Sequence, residues 1–189
     1  MKPGKAKGEV RLIGGQWRRT VLPVADLPGL RPTPDRVRET LFNWLGQDLS
    51  AWRCADVFAG CGALGFEAAS RGAVHVLLVE QQPLLVRQLL ANKERLGAAM
   101  LVIERGDGVA ALRRQSPGSL DLVCLDPPFD SDLYPQALRA AAQAVRPDAF
   151  VYLEAPRAWS DEELGDLGLR VYRYLKAGAV HAHLLQRTA

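Results

Sequence analysis

The amino-acid sequence predicts an α/β protein built on a parallel sheet with helices on both faces. Three observations carry that reading. From residue 54 onward, five apolar runs are interleaved with four amphipathic stretches. The runs are five to seven residues long and close to continuously apolar, as strands buried on both faces require. In the first strand-to-helix turn, Gly60, Gly62 and Gly65 have the spacing G-x-G-x-x-G, which suits a ligand at the carboxyl ends of the strands.

The elements follow in order. "VRLIGGQWRRTVLPV" alternates around Gly14-Gly15 and reads as a small hairpin or paired extended segment. "LPGLRPTPDRVRETLFNWLGQ" then changes period. Val37, Leu41, Trp44 and Leu45 recur at helical spacing, with Thr33 as N-cap, Pro34 at the first helical position and Gly46 as the stop. Strand and helix then alternate. "CADVFA" precedes the helix "ALGFEAASR", and "VHVLLVE" precedes "PLLVRQLLANKERL", closed by Gly97. "MLVIE" leads to "GVAALRRQ", and "LDLVCL" to "LYPQALRAAAQAV". "AFVYLEA" is the fifth strand, and "LRVYRYLK" and "AVHAHLLQR" pair around Gly178.

A length of 189 residues fits one domain, able to bury about 70% of its unfolded surface. Two parts are expected within it: a basic tail and hairpin extension over 1–33, and the α/β body over 34–189. No run of 18 apolar residues exists, and "MKPGKAKGEV" is a basic tail without the apolar segment of a secretory signal, so a cytoplasmic location without a membrane span is expected. Cys54, Cys61 and Cys124 lack C-x-x-C spacing and read as small buried hydrophobes. His181 and His183 share a strand face, but with no third ligand no metal site is expected. Trp17, Trp44, Trp52 and Trp159 read mainly as packing residues, and Trp17, beside two arginines, is the one to test for contact with RNA.

Charge is uneven. Residues 1–38 carry nine Lys/Arg against three acids, a balance of +6 in a chain whose total is +3. A basic front on a slightly acidic body points to a polyanionic partner.

The glycine loop fits either a dinucleotide or S-adenosylmethionine, which share an adenosine; a tight turn needing glycine is the plainer alternative. Glu80 ends the next strand 20 residues after Gly60, where it meets ribose hydroxyls. Asp56, four residues before Gly60, helps to separate the two ligands. A pyrophosphate gains nothing from that charge, whereas a sulfonium with an ammonium group does. Asp107, in "RGDG", suits the adenine amino group and is equally a helix N-cap.

"LVCLDPPFDSD", residues 122–132, is the more specific signal. A buried strand ends on Asp126, two prolines delete two amide donors, and Phe129 follows. The prolines make a rigid corner rich in carbonyl acceptors. An exocyclic amino group of a nucleobase needs both hydrogens accepted, here by the Asp126 carboxylate and the Pro127 carbonyl, with its nitrogen aimed at the methyl group. Such positioning supplies ~7–11 kcal/mol of a barrier. Phe129 stacks on the base, worth about 1–3 kcal/mol, and a base inside a fold must be flipped out to arrive.

With these stretches on the page, the chain resembles the RsmD family, bacterial enzymes that methylate N2 of a guanine in 16S ribosomal RNA. The resemblance runs through "RLIGGQWRR", "LRPTPDRVRETLFNWL", "FAGCGALGFEAASRGA", "VE" at 79–80 and "LDPPF". The second stretch is the most diagnostic: "DPPF" and the glycine loop recur among amino-methyltransferases, whereas Arg-Pro-Thr followed by Arg36, Arg38 and Glu39 is typical of this family. The resemblance implies a class I S-adenosylmethionine-dependent methyltransferase fold, Rossmann-like with a mostly parallel seven-stranded sheet and an N-terminal hairpin extension. It implies that S-adenosylmethionine contacts Asp56, Phe58, Ala59, Gly60, Gly62, Glu80 and Asp107, and that Asp126, Pro127, Pro128 and Phe129 hold the guanine. The implied partner is 16S rRNA in the small subunit or an assembly intermediate, met by a monomer. Cys61 replaces the commoner serine, and Arg19-Thr20 the more usual Gly-Arg, which leaves open which arginine meets RNA.

Within that frame Arg18, Arg19, Arg31, Arg36 and Arg38 are candidates for phosphate contacts, which give affinity and salt dependence rather than sequence readout. A salt bridge within the helix for Arg38, and a surface charge for Arg31, remain equal alternatives. Three rival readings fit less of the chain. A DNA adenine-N6 methyltransferase usually needs a recognition domain that 189 residues barely allow. An NAD(P) oxidoreductase leaves Asp56 and "DPPF" without work, and a noncatalytic RNA-binding module has no use for Asp126 near RNA.

Overall fold

The computed structural model describes residues 8–28, 30 and 32–188; the tail lysines and Arg31 lie outside them. Strands β1 (Gly8–Arg11) and β2 (Val21–Val24) form an antiparallel pair. Helix α1 (Asp35–Trp44) follows, then β3 (Arg53–Asp56), α2 (Ala63–Ser70), β4 (His75–Glu80), α3 (Pro83–Leu96), β5 (Leu101–Arg105) and α4 (Gly108–Arg113). The chain continues through β6 (Leu120–Leu125), α5 (Tyr134–Ala144), β7 (Val145–Ala155), α6 (Asp161–Gly165), β8 (Leu169–Ala177) and β9 (Val180–Arg187). Seven strands make one sheet in the order β5-β4-β3-β6-β7-β9-β8. The first five run parallel, and β9 joins antiparallel to both β7 and β8. This is the class I methyltransferase sheet that the sequence predicts.

Each face of the sheet buries its own core. Residues of α1, α2 and α3, among them Leu41, Phe42, Phe66 and Leu89, cover one face above Val76, Leu78, Cys124 and Tyr152. Residues of α4, α5 and α6 cover the other above Val79, Val123, Leu125 and Val151. The three cysteines are buried and free. Caps follow the local sequence: α3 has Pro83 in its first turn and ends at Gly97, whose φ of 59° is left-handed. The sequence reading omits α6, although "SDEE" at 160–163 forms a capping box through Ser160 and Glu163. The expected strand at 149–155 is longer, starting at Val145.

One expectation near the N-terminus changes. Thr33 does not cap α1: Pro34 holds the N-cap position with an extended φ/ψ of −55°/146°, and the Thr33 hydroxyl goes elsewhere. The expected pairing around Gly14-Gly15 is present as β1 and β2, with both glycines inside a longer connection. The β1–β2 connection runs over 12–20, closed by backbone bonds from Leu12 N–H to Thr20 O and Arg19 N–H to Leu12 O. The two glycines press on the end of α2, where Gly15 has φ +74° and a Cβ would lie 1.8 Å from the Ser70 carbonyl oxygen.

Among the described residues no helix is long and apolar enough to cross a membrane.

Candidate active site

Strand order reverses between β3 and β6, and a cleft of about 1000 Å³ opens at the carboxyl ends of these strands. Asp56, Phe58, Ala59, Gly60 and Glu80 line one side of it, and Asp126, Pro127, Pro128 and Phe129 another. Two distant stretches of sequence therefore line one cleft.

The glycine loop is held by its own backbone and by Glu80. Glu80 Oε2 accepts from Gly60 N–H at 2.9 Å, and Oε1 from Gln82 N–H at 2.8 Å. Gly62 sits behind the wall with φ +80°, where a Cβ would come within 2.5 Å of Leu89 and 2.8 Å of Phe66; both space and backbone exclude a side chain. Gly65 packs α2 on β4, since a Cβ there would meet Leu78 at 2.9 Å. Asp107 also stands outside the cleft wall, between Gly106 and Gly108, which line it. Its Oδ1 caps α4 by accepting from Ala110 N–H at 2.7 Å.

The electrostatics of the cleft are one-sided. Register pairs Asp56 with Cys124 and Cys124 with Tyr152, which puts Asp56, Asp126 and Glu154 on the same sheet face at its carboxyl edge. Burial pushes the Asp56 carboxyl up to about 7, against the Gly65 N–H that bonds it at 3.0 Å; Glu80 and Glu154 add repulsion. Burial, then Glu154 and Asp56, pushes Asp126 up as well. Glu154 is raised by burial, opposed by hydrogen bonds from Thr33 and Tyr152. Among the described residues lining the cleft there is no Lys, Arg or His. Acids buried together without a counter-cation fit a ligand that brings positive charge.

The opposite wall is a corner. The Tyr134 hydroxyl donates to the Pro127 carbonyl at 3.4 Å, leaving that oxygen a second lone pair. Phe129 is 36% exposed, an aromatic face offered at the rim. Leu30, Pro32, Thr33 and Pro34 from the N-terminal segment, and Ala177, Ala179 and Val180 around the β8–β9 turn, also line it.

The arginines divide. Arg18, Arg19 and Arg36 are exposed. Arg38 is not available to RNA, which corrects the sequence reading: it is fully buried, and its guanidinium bonds Thr33 O (3.1 Å), Arg11 O (2.9 Å), Asp35 (2.5 Å) and Glu67 (3.4 Å). Glu67, also fully buried, accepts from Ile13 N–H at 2.9 Å, Gly14 N–H at 2.7 Å and Arg71 Nε at 3.0 Å. Arg38, in the most diagnostic stretch of sequence, is thus scaffold, helping to lock the hairpin onto α1 and α2. His181 and His183 have other partners: Tyr174 OH at 2.7 Å from His181 Nδ1, and Trp159 N–H donating to His183 Nε2 at 3.1 Å.

Three residues of the site escape the sequence reading. Glu154 is the most informative, and its signal was legible: an acid in the apolar run "FVYLEA", on the strand beside the one that ends in Asp126. Thr33 and Tyr134 carry no such mark.

Comparison with known proteins agrees with this geometry. The family model described as conserved hypothetical protein 95 matches residues 10–186. The ribosomal RNA small subunit methyltransferase D of Haemophilus influenzae is 38% identical over 184 residues, covering 89% of this chain and 95% of that protein. Its namesake in Escherichia coli K12 is 37% identical over 180 residues, with 88% and 90% covered. A solved putative methyltransferase from Escherichia coli superposes with a TM-score of 0.81 at 35% identity, covering 96% of this chain and 99% of the other. By sequence over almost its full length and by fold, the chain belongs to the RsmD family, the one that this model defines.

Proposed function

We propose that the protein is an S-adenosylmethionine-dependent ribosomal RNA methyltransferase that modifies the exocyclic N2 amino group of a guanine in 16S rRNA of the small subunit. The observation that carries the proposal is the Asp126–Phe129 corner: a partly buried carboxylate to which no described residue donates, beside a carbonyl with a free lone pair and an exposed ring, across the cleft from the glycine loop.

The residues present fit S-adenosylmethionine. Asp56 offers charge to a cation, Glu80 has lone pairs to spare for ribose hydroxyls, and Phe58, Ala59, Gly60 and Gly62 shape the loop for an adenosine. Asp107 caps α4 with Oδ1 and accepts a long 3.5 Å bond from Gln81 Nε2 on Oδ2, which has a lone pair left for the adenine amino group. When bound, S-adenosylmethionine supplies a methyl group activated on a sulfonium, and in-line transfer to N2 returns the C–S electron pair to sulfur as N2 sheds one proton. Asp126 and the Pro127 carbonyl accept the N2 hydrogens and orient its lone pair, and the Asp126 carboxylate is the base nearest to that proton. Pro128 stiffens the corner, and Phe129 stacks on the flipped base. Arg18, Arg19 and Arg36 reach phosphates outside the cleft. The substrate is the small subunit or an assembly intermediate, which a monomer modifies in the cytoplasm.

The test is methyl transfer from labelled S-adenosylmethionine to undermethylated small subunits, free 16S RNA and DNA, with nucleoside mass spectrometry of the product. N2-methylguanosine in ribosomal RNA is expected. N6-methyladenine, or no transfer to any of the three, sinks the proposal and leaves the fold standing.

A further inference from the structure

Glu154 lies at the end of β7, one step beyond the Leu125–Leu153 register pair, so it stands beside Asp126 on the neighbouring strand. It is 4% exposed and lines the cleft. Its two oxygens differ. Oε1 accepts from the Thr33 hydroxyl at 2.9 Å and from the Tyr152 hydroxyl at 2.9 Å, so both lone pairs are used. No donor among the described residues reaches Oε2. Thr33 comes from 121 positions away, and with Tyr152 it pins one oxygen and leaves the other for whatever enters the cleft. Oε2 is open to the cleft rather than sealed, so a ligand that displaces water from it must supply a donor in its place.

We infer that Glu154 Oε2 accepts the N1–H of the target guanine, beside the N2 amino group held by Asp126 and Pro127, and that this bond makes the site selective for guanine. The inference rests on the guanine-N2 reading above and deepens it. Guanine presents N1–H and the two N2 hydrogens as adjacent donors on one edge. Once Asp126 and Pro127 take the N2 hydrogens, N1–H lies one ring atom away, on the side where a second acceptor is needed. Adenine and 2-aminopurine have a bare lone pair at N1, which repels a carboxylate. Buried polar groups that match a substrate reject analogues lacking the matching group far more strongly than an apolar pocket does.

The test exploits the pinned oxygen. In Glu154→Gln the Thr33 and Tyr152 hydroxyls still require an acceptor, so they hold the amide oxygen and the NH₂ group takes the place of Oε2. An acceptor becomes a donor with little change of shape. Small subunits are reconstituted with 16S RNA carrying guanine or 2-aminopurine at the modified position, because 2-aminopurine keeps the N2 amino group and lacks N1–H. Single-turnover methyl transfer is then measured on both for wild type and variant, with melting curves for each protein. Wild type is expected to prefer guanine by about 10–100-fold, and E154Q to move the ratio toward 2-aminopurine by a similar factor. Equal wild-type rates on the two bases overturn the inference, and that comparison stands even if E154Q does not fold. A folded E154Q with the wild-type preference, or inactive on both bases, also overturns it. Absence of N2-methylguanosine from the wild-type product is a different failure, that of the guanine reading itself.

Discussion

Changing Glu67 to glutamine tests whether the N-terminal extension is locked by a buried acid. Glu67 Oε1 accepts from Gly14 N–H and Arg71, and Oε2 from Ile13 N–H and Arg38; both oxygens only accept. An amide makes one of them a donor. In either orientation, one backbone N–H and one guanidinium then face a donor, and Arg38 and Arg71 lose a buried counter-charge. Breaking a buried ion pair from one side costs about 3–5 kcal/mol, and an orphaned buried N–H about 1–3 kcal/mol more. The sum, roughly 4–8 kcal/mol, is a large part of the ~5–15 kcal/mol that holds a domain folded. At ~2–4 °C per kcal/mol for a chain of this size, E67Q melts roughly 8–30 °C below wild type. Urea and thermal unfolding measure the loss, and hydrogen exchange at Ile13 and Gly14 locates it. A loss below about 1 kcal/mol with protection unchanged at those two amides would refute the reasoning.

Three further outcomes are expected. Asp126→Ala lowers single-turnover methyl transfer by at least about 10²–10³-fold while calorimetry still detects S-adenosylmethionine binding; retained activity contradicts the assigned role. Because the folded-state pKa of Asp56 is raised to about 7, its contribution to stability is complete below the ordinary carboxylate range and lost as pH rises through about 7, so the free protein melts lower at pH 8 than at pH 5.5. A cationic ligand needs the ionised form, so S-adenosylmethionine binds more tightly as pH rises through the same window and releases protons at pH 6; Asp56→Asn flattens both trends, and unchanged trends in that variant argue against it. Removing Arg18 or Arg19 lowers the slope of log affinity for RNA against log salt by roughly 0.7–0.9 each, whereas Arg38→Met leaves the slope alone and lowers the melting temperature; the reverse pattern puts Arg38 back in the RNA interface.

What the sequence made legible depended on whether a residue's work was local. The strands and helices from 53 to 145 follow from apolar runs and glycines whose effect is felt within a few positions, such as Gly97 ending α3. Asp126–Phe129 was visible for the same reason, since four neighbours make the corner by themselves. Thr33, Arg38 and Glu67 were not. Each looks like an ordinary cap, surface charge or helix acid until the fold brings residues 13 and 14 to 67, or residue 33 to 154. Glu154 falls between these cases: its oddity is local, but its meaning comes from the adjacent strand.

The long reach of these bonds sets an order of events during synthesis. Gly14 waits 53 residues for Glu67, and Thr33 waits 121 for Glu154. At ~5–20 residues per second those intervals are roughly 3–11 s and 6–24 s. The basic front of the chain is made first and fastened in two stages, the hairpin once α2 is made and the Thr33 segment only once β7 is. A nascent chain interrupted before residue 154 has a basic arm without a finished cleft, and methyl transfer begins only with the complete fold.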